Sequence, residues 1–272
     1  MNLRESFLPA PWYPRNSAEI SRFLSGTARG KGIAAIAPHA GWRYSGKIAA
    51  RAVGSLGGTI ETLIVIGGHL PAGSPPLFAM EDAVDTPLGP MTINAALRSA
   101  LLKKIGGKED RYPDNTVEVL LPMARFFFPD ASLLWLRLPA ELPSFDAGKA
   151  IAAAAEDAGC AAAVLASTDL THYGSNYGFT PKGTGPDALR WMREVNDRHF
   201  IDAVESGSPA DVLERAEMDS SSCSAGAVLG AMGFAAAKGL GAARLLEYGT
   251  SADGADDEVD FFVGYAAMAW EA

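Results

Sequence analysis

The sequence predicts an α/β fold, with a single domain built on a central, mainly parallel sheet flanked by helices. Apolar runs of strand length alternate along the chain with longer helical patterns rich in alanine and leucine, which is typical of an α/β sheet. The chain has 272 residues, of which 48% are hydrophobic, so it is long enough to bury one large core. Because no internal repeat or linker divides it, we expect one domain over residues 1–272.

The predicted elements follow in chain order. The first 30 residues are rich in Pro, Ser and Gly around the short helical pattern "AEISRFL", and they predict an arm (1–30) draped over the domain. Glycine pairs such as "GG" at 57–58 mark the ends of helices. Predicted strands span 32–37, 62–68, 132–138, 161–167, 243–249 and 259–270, and predicted helices lie near 45–56, 92–105, 117–127, 145–158, 186–206, 209–216 and 223–238.

The acidic stretch "ADGADDEVD" (252–260) separates the last two strands. It lacks the alternating ligand spacing and the closing glutamate of a calcium loop. We therefore interpret it as the solvated tip of a hairpin.

Charge and hydropathy exclude several classes of protein. Lys and Arg total 23 against 32 Asp and Glu, so the net charge is −9 and no general field attracts nucleic acid or anionic membranes. The N-terminus lacks the apolar segment of a signal peptide, and no window approaches the roughly 18 apolar residues of a membrane span. We expect a cytoplasmic protein, and its two cysteines exclude a disulfide framework.

Three of the four histidines follow predicted strands closely. His39 stands in "IAPHAGWRYSG", His69 in "IVIGGHLPAG" and His172 in "LASTDLTHYG". Since the carboxyl ends of parallel strands line the ligand crevice of an open sheet, these side chains are expected to converge on one site. The fourth, His199, lies in a helical pattern with charged neighbours and is interpreted as a surface or boundary residue.

The two cysteines have different surroundings. Cys223 lies where a serine-rich cap meets a helix of small residues, and a helix N-terminus lowers the pKa of a thiol. Cys160 begins a buried strand and is interpreted as an inert core thiol.

These residues favour a transition-metal site. Two histidines and one anionic side chain form the ligand set of open metal sites, and the anionic ligand here is Cys223, Asp169 or Glu118. A thiolate would suit zinc, copper or iron rather than magnesium. A nucleophilic triad of Cys223 or Ser222 with His172 and Asp169 is the competing hypothesis, but the chain has no GxSxG elbow.

Five stretches, in this order, resemble the MEMO family, also called the AmmeMemoRadiSam system protein B family. They are "APHAGWRYSG", "IVIGGHLPAG", "NTVEVLLP", "ASTDLTHYGSNYGF" and "CSAGAVLGAM", and the resemblance runs from about residue 33 to 268. That family is related in fold to the class III (LigB-type) extradiol dioxygenases. The resemblance therefore implies a LigB-dioxygenase-like α/β fold.

The resemblance also implies a set of site residues. A mononuclear metal is held by His39, His69 and Cys223, with Asp169 and His172 beside it. By analogy with the dioxygenases, which bind iron(II) and a catecholate, His172 is the candidate acid/base, and we expect Asp169 to orient it. Further pocket residues are expected to be Glu118, Trp42, Tyr44 and Tyr173.

The chain departs from the family pattern at three positions. Asn115 and Leu120 stand where members carry histidines around Glu118, and Leu70 stands where a second histidine often follows His69. These replacements remove donors that would support the pocket.

The expected activity is metal-dependent redox or dioxygenase-like chemistry on a small polar or aromatic molecule, with iron first and copper or zinc next. A non-catalytic protein that binds a peptide or handles metal through the same pocket is the second hypothesis. A hydrolase that uses Cys223 or a metal-bound water is the third.

Overall fold

The computed structural model describes residues 2–253 and 260–271. It confirms the six predicted strands and adds short ones that the sequence pattern did not reveal. In chain order the strands are β1 (Leu3–Arg4), β2 (Gly32–Ala37), β3 (Thr62–Gly67), β4 (Leu77–Phe78), β5 (Ala83–Val84), β6 (Met91–Thr92), β7 (Lys108–Glu109), β8 (Ser132–Arg137), β9 (Ala162–Ser167), β10 (His172–Tyr173), β11 (Arg244–Thr250) and β12 (Phe262–Glu271).

The helices follow the predicted pattern, except that two predicted helices are divided. The stretch 117–127 is divided into two helices just before Pro122. Proline fits the first turn of a helix, but within a continuous helix its missing N–H would remove a backbone hydrogen bond. The stretch 186–206 contains a π-helical segment, Met192–Asn196. The α-helices are α1 (Ser17–Leu24), α2 (Trp42–Ser55), α3 (Ala95–Ile105), α4 (Asn115–Glu118), α5 (Leu121–Phe127), α6 (Pro143–Asp157), α7 (Pro186–Trp191), α8 (Asp197–Glu205), α9 (Pro209–Met218) and α10 (Ala225–Ala237).

The parallel strands β2, β9, β3 and β8 form the centre of the main sheet, in that spatial order. At one margin of the sheet, β12 pairs antiparallel with β2, and β10 and β11 both pair antiparallel with β12. At the other margin, β4 pairs antiparallel with β8 and parallel with β7. A separate small sheet joins β1, β5 and β6. The α/β fold with a central, mainly parallel sheet is thus confirmed, and β2, β9 and β3 end side by side at one edge.

Helices cover both faces of this sheet. Successive side chains of a strand point to opposite faces, so Leu63 and Val65 of β3 pack into the core shared with α2 and α5. Ile64 and Ile66 pack into the core shared with α6 and α10. Burial on both faces explains why the central strands have nearly continuous apolar sequences. Among the described residues, no helix is long and apolar enough to cross a membrane.

The predicted hairpin tip at 252–260 lies largely outside the described residues, because 254–259 are not among them. The flanking strands β11 and β12 do pair antiparallel.

Asp197 is a buried carboxylate at the start of α8. The backbone N–H and hydroxyl of Thr171 donate to its Oδ1, and the Tyr248 hydroxyl donates to Oδ2 at 2.7 Å. Burial raises the pKa of Asp197 to about 6, although these hydrogen bonds act to lower it. The group therefore ties α8 to the segment before β10 and to β11.

Stability should fall with rising pH because of Asp197. Its native pKa lies above the ordinary 3.8, so the stabilising contribution is complete below about pH 4 and is lost as the pH rises through about 6. Relative to Asp197→Asn, the free energy of unfolding of the parent should drop by up to about 3 kcal/mol between about pH 3 and about pH 7. Denaturant unfolding of both proteins across this range measures it. Equal pH dependence in the two would contradict the assignment.

Candidate metal centre

Two histidines and one cysteine meet at the carboxyl edge of the parallel strands. His39 follows β2, His69 follows β3, and Cys223 precedes α10. One nitrogen or sulfur atom of each lies within 4.8 Å of those of the other two. It is the one such group of potential metal ligands in the part of the chain that the structure describes.

The His39 ring is buried and fixed from two directions. Its Nδ1 lies 2.9 Å from the Ser167 hydroxyl at the end of β9, and its Nε2 lies 3.3 Å from the Cys223 sulfur. Asp169 joins two of the three candidate ligands, since its carboxylate accepts from the backbone N–H of His39 at 2.7 Å and its carbonyl accepts from that of Cys223 at 3.3 Å.

His69 is held by an acidic partner. Its Nδ1 lies 3.0 Å from Oδ2 of Asp114, which also lies 3.2 Å from Nη2 of the buried Arg137. One ring nitrogen of His69 lies within 4.8 Å of the Cys223 sulfur. Its backbone φ is +56°, a left-handed conformation that is uncommon for a residue other than glycine and often marks functional sites.

The close approach of two loops sets the separation of His69 and Cys223. Gly68 lies against Ser224, and a Cβ atom added at Gly68 would come within 2.3 Å of the Ser224 Cβ. Only glycine therefore fits at this position without a shift of one loop.

Electrostatics favour the anionic form of the thiol. Burial acts to raise the pKa of Cys223, but the charges and hydrogen bonds of His39 and His69 hold it well below its ordinary value. Burial lowers the pKa of His69, whereas hydrogen bonds to Asp114 and Cys223 raise it to about 10. These shifts favour a thiolate beside protonated imidazole, so binding of a metal, which requires neutral imidazole, would release protons.

The three residues fit a transition-metal ion. Two imidazoles and a thiolate are the donors that zinc, copper and iron accept, and a hard ion such as magnesium does not prefer them. Each histidine has its Nδ1 engaged by Ser167 or Asp114, which is how metal-binding histidines are normally oriented. The site therefore has both candidate ligands and the groups that would orient them.

His39 and His69 line a cavity of about 810 Å³. A cavity of this size accommodates a small organic molecule. His172 lines it as well, with its Nδ1 3.2 Å from the Leu170 carbonyl and its ring edge-to-face with Tyr177. Other aromatic residues of the wall are Trp12, Tyr44, Phe261 and Tyr265.

Two more of the predicted site residues, Asp169 and Tyr44, line the cavity, but the contacts of Asp169 are not the expected ones. Asp169 lines the cavity but directs its carboxylate to the backbone of His39, and no hydrogen bond to His172 occurs among the described contacts. Tyr44 lies in the wall of the cavity and is exposed.

Trp42, Tyr173 and Glu118 are buried outside the lining of this cavity. The Trp42 indole donates to the Val119 carbonyl, and Tyr173 stacks on Phe262. Glu118 receives its hydrogen bonds from the N-terminal arm, at the backbone N–H groups of Phe7 and Leu8 and the Tyr13 hydroxyl.

The two residues around Glu118 that replace family histidines lie in different places. Asn115 lines the cavity and donates to the His39 carbonyl at 3.0 Å, whereas Leu120 is buried in the core. Cys160 lies away from the centre, with its sulfur 3.1 Å from the Thr62 hydroxyl. Ser222 pairs with the Thr168 hydroxyl at 2.8 Å.

Sequence reasoning missed Ser167, Asp114, Trp12 and Tyr177. Ser167 and Asp114 orient the two histidines, and the aromatic pair lines the cavity. Only Ser167 carried a usable signal, since it ends the predicted strand 161–167 and the carboxyl ends of the strands were the expected place of the site.

Comparisons with known proteins identify the family. A MEMO1 family protein of Pyrococcus abyssi is 31% identical over 250 residues, 86% of this chain and 85% of that protein. One of Pyrococcus furiosus is 29% identical and covers 98% of both chains. A solved structure of an uncharacterized protein from Escherichia coli K12 aligns with a TM-score of 0.44 and 12% identity over 87% of this chain and 98% of that one. The family model described as "Memo-like protein" matches residues 4–269, and the chain therefore belongs to this family.

Proposed function

We propose that this chain binds one transition-metal ion and uses it in redox or dioxygenase-like chemistry on a small polar or aromatic molecule. Iron is the first candidate metal, followed by copper and zinc. The observation that carries the proposal is the group of His39, His69 and Cys223, whose donor atoms converge where the two histidines line a cavity. Three protein ligands leave coordination positions for a substrate.

The cavity wall supports an aromatic substrate. Trp12, Tyr44 and Tyr177 offer ring faces and edges against which a planar molecule would pack. Bound iron or copper would supply a Lewis acid and a redox centre for that molecule, whereas zinc would supply a Lewis acid alone.

His172 is the residue we assign to proton exchange. Its Nδ1 is engaged by the Leu170 carbonyl, which leaves Nε2 to donate or accept a proton in the cavity. Asp169 has a different role, because its hydrogen bonds fix the backbones of His39 and Cys223.

Cytoplasmic location and small-molecule binding complete the proposal. Free thiols such as that of Cys223 are typical of reducing compartments. The net charge of −9 disfavours nucleic acid as a ligand.

A non-catalytic binding protein is the second candidate. Leu120 packs in the core and Asn115 donates its amide to a backbone carbonyl, so neither position supplies a titratable group to the pocket. The loss of proton-exchanging groups at these two positions suits ligand or metal binding without turnover.

Metal analysis and oxygen uptake test the proposal together. Anaerobically purified protein should carry about one metal ion per chain, and His39→Ala should lose it. With a panel of catechols, the iron-loaded parent should consume oxygen, and His172→Gln should retain metal but turn over about 100-fold more slowly. Bound metal without oxygen uptake or cleaved product would favour the binding protein. Full metal retention in His39→Ala would refute the site.

A further inference from the structure

The N-terminal arm contributes part of the cavity wall. Pro11 and Trp12 line the same cavity as His39 and His172, although they lie outside the sheet and its helices. Trp12 also packs against the main core, so it is only partly exposed. A residue of the arm is therefore within reach of whatever occupies the cavity.

A buried carboxylate holds the arm in this position. Oε2 of Glu118 accepts from the backbone N–H of Phe7, and Oε1 accepts from that of Leu8, both at 3.0 Å. The Tyr13 hydroxyl donates to Oε1 at 2.8 Å. Glu118 is 2% exposed, and all of these partners belong to the arm. Hydrogen bonds to a charged, buried acceptor are among the stronger ones, so this contact fixes the arm on both sides of Trp12.

Three further contacts fix the arm near Trp12. The Trp12 carbonyl accepts from the backbone N–H of Trp42 at the start of α2, at 2.8 Å. Arg15 packs over the Tyr13 ring at 4.3 Å and donates to the Leu8 carbonyl. The backbone of Trp12 is thus bound to the first turn of α2, which begins three residues after His39, and Glu118 holds the residues on either side of it.

Glu118 is also close to the metal centre through its own helix. Asn115, at the other end of α4, lines the cavity and donates to the His39 carbonyl. One short helix therefore connects the arm, the cavity wall and the backbone of a candidate ligand.

We propose that Trp12 is a specificity-determining contact for planar, aromatic ligands of the metal, and that Glu118 is the positioning residue that holds it in the cavity wall. This inference rests on the proposed metal-dependent function, because the ligand it concerns binds beside the metal. Glu118 acts through the arm and touches neither metal nor ligand.

The first test monitors Trp12 and needs neither metal nor ligand. In protein labelled with 5-fluorotryptophan, the Trp12 signal in the ¹⁹F NMR spectrum is assigned by its loss in Trp12→Phe. Glu118→Gln should shift or broaden this signal, because an amide has one acceptor oxygen for three converging donors. Tyr13→Phe is the milder variant, in case Glu118→Gln folds poorly. A Trp12 signal unchanged in both variants would overturn the positioning role.

The second test measures specificity in the Co²⁺-loaded protein, whose visible spectrum reports ligands added to the metal. Imidazole and 4-phenylimidazole are the probes. Trp12→Ala and Glu118→Gln should reduce the preference for 4-phenylimidazole over imidazole by about five- to tenfold, since the phenyl ring loses its aromatic contact. Phe7→Ala, which keeps the backbone bond to Glu118 and removes an arm side chain outside the cavity, should leave the preference unchanged.

The outcomes separate the two proposals. An unchanged preference in Trp12→Ala, with Co²⁺ bound, overturns the inference and leaves the metal site standing. Failure of the parent to bind Co²⁺ refutes the proposed function, and with it the role of Trp12 as a contact for metal ligands. In that case the ¹⁹F spectrum still decides whether Glu118 positions the arm.

Discussion

Replacing Cys223 by serine should lower the affinity for Co²⁺ or Zn²⁺ by at least about 100-fold. The thiol is the candidate anionic ligand, and the charges and hydrogen bonds of its histidine neighbours hold its pKa well below the ordinary value, which favours the metal-binding thiolate. A serine hydroxyl remains protonated and binds these ions weakly. Two imidazoles alone should hold the metal loosely.

Competition with a chromophoric chelator measures this affinity, and the thiolate-to-Co²⁺ absorption band should vanish in Cys223→Ser. Cys160→Ser is the matched control, because Cys160 lies near Thr62, away from the centre, and should change neither affinity nor spectrum. An affinity within threefold of the parent, roughly 0.6 kcal/mol, would exclude Cys223 as a ligand.

Gly68→Ala should damage both the fold and the site. The added Cβ would come within 2.3 Å of the Ser224 Cβ and 2.8 Å of its Cα, and backbone there cannot yield as a flexible side chain would. Overpacking of this kind costs about 1–3 kcal/mol of unfolding free energy. Because Gly68 precedes His69 and Ser224 follows Cys223, relief of the clash also separates two ligands, and we expect metal affinity to fall about tenfold or more.

Chemical denaturation and metal titration of the same protein check both effects. Gly241→Ala is the control, since a Cβ there meets no atom within 4 Å. Unchanged metal affinity in a folded Gly68→Ala protein would show that the spacing of the two loops does not control the centre.

The parts of the site that the sequence predicted depend on local pattern. His39 and His69 each follow an apolar strand, and the rule that parallel strands end at one edge brings them together without knowledge of the strand order. Cys223 was identifiable from the serine-rich start of a helix. The choice of Cys223 over Asp169 and Glu118 as third ligand came from the family resemblance, and the structure gives the two carboxylates contacts with protein backbone.

The parts that were missed depend on long-range contacts. Asp114 meets His69 across 45 residues, and Glu118 meets Leu8 across 110, and no spacing rule connects such pairs. Trp12 lies in the irregular part of the arm between β1 and α1, so no periodicity placed it in the cavity. Aromatic residues near the motifs, such as Trp42 and Tyr173, were assigned to the pocket by sequence proximity, whereas their rings pack into the protein.

X-ray absorption at the zinc K-edge of the Zn²⁺-loaded protein tests the central claim most directly. Coordination by His39, His69 and Cys223 predicts one sulfur neighbour at about 2.3 Å and imidazole nitrogens at about 2.0–2.1 Å. The sulfur neighbour should be absent from the Cys223→Ser protein measured under the same loading. A parent spectrum with nitrogen and oxygen neighbours alone would contradict the account.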